Sequence, residues 1–184
     1  MRAQILEEEF GDRLQLEWRS FLLRPKPEGS RNKEKFRKYT QGWSKIADDE
    51  PSGEFNPWTT DESPPSHSVP PHLIAKAAAT ISDEAFHTVH DALLKAYFTD
   101  NRDVSSEDNL KAIWGECGLP SEEFERARNP ELLKTVIDEH NEALSYGASG
   151  APAFRMSHHD VAIVGAHPVE VLSRWINRVL DDKV

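Results

Sequence analysis

The chain has 184 residues, 38% apolar and 29% charged, which is enough for one buried core or for a domain with an insertion. Its 22 Lys and Arg against 32 Asp and Glu leave a formal charge of −10, the opposite of the basic footprint that a phosphate-tracking nucleic-acid binder needs. A single cysteine, Cys117, excludes an internal disulfide, a cysteine-rich zinc module and an internal dithiol.

In chain order, residues 1–10 read as the end of a helix. Ile5, Leu6 and Phe10 form its apolar stripe, Glu7-Glu8-Glu9 a solvated face, and Gly11 its stop. No apolar signal core follows Met1, and no run approaches the ~20 apolar residues of a membrane span. The expected setting is the cytoplasm. Leu14-Gln15-Leu16-Glu17-Trp18-Arg19 alternates strictly, the pattern of a half-buried strand, which Pro25 and Pro27 end. Phe36, Tyr39, Trp43 and Ile46 recur at helical spacing, and Pro51 to Pro71 reads as a long proline-rich loop.

From 72 to 146 the period is helical. Leu73 to Ala79 is alanine-rich, and Ser82 can cap a helix whose apolar side is Phe86, Val89, Leu93, Leu94, Tyr97 and Phe98. Ser105 with Asp108 predicts a capping box for a helix that Gly118 closes. Ser121 starts a short helix around Phe124, and Asn129-Pro130 opens the run through Leu132, Leu133, Val136 and Ile137 to Gly147. The last forty residues change period. Residues 153–156 and 161–164 predict a β-hairpin turning at His158-His159-Asp160, and Pro168 opens an amphipathic helix through Leu172, Trp175, Ile176, Val179 and Leu180. Helices inserted between strands at both ends predict an α/β domain with a helical subdomain.

This order resembles the DsbA-like thioredoxin superfamily, and within it the cytoplasmic FrnE-type proteins. The resemblance rests on Ser149-Gly150-Ala151-Pro152-Ala153-Phe154 followed by Val164-Gly165-Ala166-His167-Pro168. It extends to Gly11–Arg19, to Lys95-Ala96-Tyr97-Phe98 with Asn101–Ser105, and to Gly118-Leu119 with Phe124. It implies a thioredoxin-like fold with an inserted helical subdomain. The boundaries are 1–30 for a partial N-terminal half, 31–146 for the loop and helical insertion, and 147–184 for the C-terminal half. It also implies that Ala151 and a cis-Pro152 present backbone groups to an extended substrate.

Members of that family begin with a strand and a Cys-x-x-Cys, a segment of roughly 20–30 residues by the size of a βαβ unit. Their chemistry needs a thiolate at a helix N-terminus and a second, resolving cysteine. This sequence starts where that first helix ends, so the expectation is a mis-assigned start or a truncation, with the first strand absent and the strand at 14–19 left unbridged from the hairpin. The competing expectation is that those strands re-pair directly. The implied function is thiol–disulfide exchange of the DsbA type on protein or small-molecule substrates, without dithiol chemistry in the chain as it stands. Two alternatives stay open. One is a glutathione-using enzyme similar to kappa-class transferases and chromene-carboxylate isomerases. The other is a non-catalytic binding module, with a homodimer compatible with it. Cys117 reads as a small hydrophobe against a redox sensor, and His87, His90 and Asp91 as a helix face against a metal site. No metal or other cofactor is expected.

Overall fold

The computed structural model describes residues 2–29, 31–45 and 54–181. Ile46 and Pro51, which the sequence placed in a helix and a loop, lie outside them. The chain packs as two compact units. One combines residues 1–21 with 138–184, and the other is residues 22–137.

The first unit is built on two amphipathic helices. Helix α1, Arg2–Phe10, ends at Gly11, whose φ of +52° is the left-handed conformation a helix stop uses. Leu6 and Phe10 on α1 pack with Leu172 and Ile176 of the C-terminal helix Val169–Asp181, which follows Pro168 as the sequence predicts. All four are at most 4% exposed, and each such side chain contributes about 1.5–3 kcal/mol by leaving water. Phe154 and Trp175 join this cluster, so both belong to the core. Glu9 is more than a solvated face, because its carboxylate accepts the Ser173 hydroxyl at 2.6 Å.

The sheet is smaller than the alternation suggested. It has two strands, β1 (Ala153–Phe154) and β2 (Ile163–Val164), paired antiparallel with Ala153 opposite Val164. Residues 14–19 form no strand. Leu14 and Leu16 are half-buried and their neighbours exposed, so the alternation is real. A strand also needs a ladder partner, however, and among the described residues β1 pairs with β2 alone. The expected direct re-pairing of the two ends is therefore not seen. The hairpin is likewise cut short to two residues a side, with a turn at Ser157 and His158.

The second unit is helical. Asn32 caps Lys33–Thr40 (α2) by accepting from the Lys35 N–H at 2.9 Å. Val69–Ala79 (α3) starts with Pro70 and Pro71 in its first turn, so the proline-rich loop ends earlier than Pro71. Ser82 accepts from the Ala85 N–H at 3.0 Å and caps Asp83–Phe98 (α4). Val89 and Leu93 face the core from α4, whereas Leu94 is 45% exposed and off the expected face. Glu107–Glu116 (α5) has Ser106, not Ser105, at its N-cap position, and that side chain makes no capping hydrogen bond. Asp103 takes both the amide and the hydroxyl of Ser105, which removes that residue from the helix start. Gly118, at φ +72°, closes α5 as expected. A 3₁₀ segment runs Ser121–Arg128, and Asn129 caps helix Pro130–Ser145 (α6) through the Glu131 N–H at 3.0 Å. Of its predicted stripe only Val136 is fully buried, and Ile137 is 41% exposed. Ile74, Val89, Ile113 and Trp114 form the main core. Phe36, Trp43 and Trp58 form an aromatic one beside Tyr97 and Phe98.

Candidate functional site

The sequence singled out Ala151 and Pro152. They lie in the first unit, exposed, on the segment that enters β1. The Ala151–Pro152 peptide bond is cis. The Gly165 N–H donates to the Pro152 carbonyl at 2.9 Å and ties the loop to the end of β2. Gly165 has a φ of +111°, a conformation L side chains rarely adopt, so a glycine is required at the residue that makes this bond.

Two side chains that sequence reasoning left without a role hold this frame. His167 Nε2 lies 3.1 Å from the Val164 carbonyl. A carbonyl can only accept, so Nε2 is the donor in this contact. The His167 amide also bonds the Gly165 carbonyl at 2.9 Å, which closes the turn. Arg155, just after β1, places its guanidinium 3.9 Å from the centre of the Tyr146 ring. Its Nη1 reaches the carbonyls of Met156, Ser157 and His159 at 3.2–3.4 Å and so braces the hairpin turn. The Ala162 N–H donates to the Tyr146 carbonyl at 3.0 Å. In the same unit Glu139, 6% exposed, accepts the Ser20 N–H at 2.7 Å and faces Arg19 at 3.8 Å, which answers its buried charge. A basic residue beside a strand is a common pattern, and nothing in the sequence distinguished Arg155 from a surface charge.

The other candidates do not form a reactive centre. Cys117 caps the end of α5, half-buried, with its Sγ 3.8 Å from the Thr88 carbonyl. Burial, then the Glu116 carboxylate, push its thiol up from the ordinary range, away from a reactive thiolate. His90 stacks on Phe86 at 5.6 Å, and burial lowers its pKa. Among the described residues no group of three His, Cys, Asp or Glu could hold a metal ion. None of the described helices is long and apolar enough to cross a membrane.

The model of the DSBA-like thioredoxin domain matches residues 2–177. The chain belongs to that family. Solved structures agree on the fold of this DSBA-like chain. A putative protein disulfide isomerase from Nitrosomonas europaea superposes with a TM-score of 0.78 at 16% identity, over 100% of this chain and 90% of that one. The cytosolic disulfide reductase DsbM from Pseudomonas aeruginosa gives 0.68 at 18% identity, over 98% and 85%. The same enzyme with GSH gives 0.68 at 16%, over 98% and 86%. The comparison with curated proteins returned no match. The fold is therefore α/β and thioredoxin-like with an inserted helical subdomain, that of the DSBA-like thioredoxin domain.

Proposed function

We propose that this chain serves DsbA-type thiol–disulfide exchange by holding the substrate backbone at Ala151–Pro152. The observation that carries the reading is the exposed loop, fixed through the Gly165-to-Pro152 hydrogen bond at the end of a paired hairpin. Pro152 has no N–H to give, so the groups on offer to an extended peptide are those of Ala151 and Ala153, and their methyl side chains leave the backbone open. Exchange itself needs a thiolate to attack a disulfide sulfur and a second thiol to release the mixed disulfide. The 184-residue sequence contains one cysteine, and burial raises its pKa, so in this reading the chain contributes binding and orientation while the dithiol comes from outside it. Its setting in this reading is the cytoplasm.

The test is a titration with an extended peptide carrying an S-methylated cysteine, followed in ¹H–¹⁵N spectra. Saturable shifts at the Ala151, Ala153 and Gly165 amides are expected, weakened by Pro152→Ala. Absence of shifts there at millimolar peptide refutes the site. A second reading, glutathione as the ligand, is favoured by the DsbM structure being one with GSH. Shifts of the same amides by S-methylglutathione but not by the peptide would select it.

A further inference from the structure

The second unit contains a cluster of charge that the thioredoxin-like site does not use. The segments 24–28 and 65–68 run beside one another. The Arg24 N–H donates to Ser68 Oγ at 3.0 Å, the Ser68 N–H to the Arg24 carbonyl at 2.8 Å, and the Glu28 N–H to the Ser66 carbonyl at 3.3 Å. Arg31 is tied to the same strip, with Nη1 3.2 Å from the Pro65 carbonyl. Its guanidinium stacks over the Phe36 ring at 4.4 Å, and the Tyr97 hydroxyl lies against it. The strip itself is fixed from behind, because the Ser66 N–H donates to Ser105 Oγ, whose hydroxyl is taken by Asp103.

Arg24 lies close enough to act against the Arg31 cation, and the Glu28 carboxylate, which Arg24 also engages, acts in its favour. Glu28 is itself engaged by Arg24 at 2.6 Å and is 59% exposed. Burial and the Arg24 charge both work against the Arg31 cation. Among the described residues these two guanidinium groups thus share one carboxylate, that of Glu28. Arg31 gives one N–H to the Pro65 carbonyl and another to the Tyr97 hydroxyl, and a guanidinium has five N–H donors in all. Ser68 Oγ accepts from Arg24, which leaves its own hydrogen to donate. Fixed backbones, two guanidinium forks and a hydroxyl are the donor set that carboxylates and phosphates fit.

We propose that Arg24 and Arg31, with Ser68, form a binding site for an oxyanion, a carboxylate or a phosphate group carried by a small molecule. Glu28 acts as an internal competitor that a bound anion displaces from Arg24. This sets it apart from a purely structural arginine stack, in which Glu28 would only help.

The experiment titrates the full chain with sodium phosphate or sodium acetate, against sodium chloride at matched ionic strength. The readout is the Arg Nε–H and Ser68 amide signals. Saturable shifts with at least one oxyanion are expected, and the arm that saturates identifies phosphate or carboxylate as the natural group. Arg24→Gln should weaken binding by about tenfold, the scale of one charge-assisted contact. Glu28→Gln should strengthen it. Arg128→Gln, on an exposed pair with Glu107, should change nothing. Shifts that chloride reproduces, or a Glu28→Gln variant that binds no better than the parent, overturn the proposal. Arg24 and Glu28 are surface side chains, so the test does not depend on the packing role of Arg31.

Discussion

Asn101 predicts a large stability effect from a single polar side chain. It is 2% exposed and sits at φ +54°, in the left-handed region. Its Oδ1 accepts the Thr59 N–H at 2.9 Å, its Nδ2 donates to the Asn56 carbonyl at 3.1 Å, and its own carbonyl accepts the Thr60 hydroxyl at 2.8 Å. One side chain therefore satisfies two backbone groups of the loop that leads to Trp58. Asn101→Ala leaves both without a partner, at about 1–3 kcal/mol each. Alanine also tolerates the left-handed region less well than asparagine, whose short polar side chain bonds locally there, which adds up to about 1 kcal/mol. Some local relaxation is expected, so the net loss should be about 3–5 kcal/mol, a large share of a typical domain's stability. Asn101→Gly removes the same two hydrogen bonds without the β-carbon and should recover roughly 1 kcal/mol of that loss. Urea unfolding read by tryptophan fluorescence gives the global number, and amide exchange at Thr59 gives the local one. An Asn101→Ala protein within ~1 kcal/mol of the parent, with Thr59 still protected, would refute the reasoning.

Two further predictions follow from burial. His90 has its pKa lowered first by desolvation, with His87 adding to it and Asp91 opposing. The folded state therefore binds this proton less readily than the unfolded chain, so its contribution is complete above the unfolded pKa of about 6.5 and is lost as the pH falls through the lowered folded value. Denaturation midpoints measured from pH 7.5 down to 5 should drop, and His90→Gln should flatten the slope; an unchanged slope refutes the assignment. Cys117, with its thiol pushed up by burial and by Glu116, should react with iodoacetamide several-fold more slowly than free cysteine at pH 7.5, and Cys117→Ser should leave peptide binding at Pro152 unchanged. Alkylation at the free-thiol rate would contradict the burial.

What the sequence revealed divides along the range of the interactions involved. Ser82, Asn129, Gly11 and Gly118 were readable because a cap or a stop is decided within four residues, by one side chain and one backbone conformation. The Ser105 capping box failed at the same range because Asp103, two residues before it, competes for the same hydroxyl and amide. The arginine strip, the Asn101 bonds to residues 56–60 and the Arg155 brace were not readable, since each joins positions whose neighbourhood is set by the fold. The segment 14–19 is the most instructive case. Its alternation correctly located which side chains turn inward, and Leu14 does so by packing on the cluster formed by the two helices. Alternation says nothing about whether a neighbouring strand exists to complete the ladder, so the pattern of a strand persists here without the strand. The Ala151–Pro152 loop is the opposite case. Its ladder is only two residues a side, yet Gly165 and His167 fix its geometry, and these lie in the Gly-Ala-His-Pro stretch that gave the resemblance. A short motif could carry the candidate site because the loop and the turn that holds it are both local and are joined by the hairpin between them.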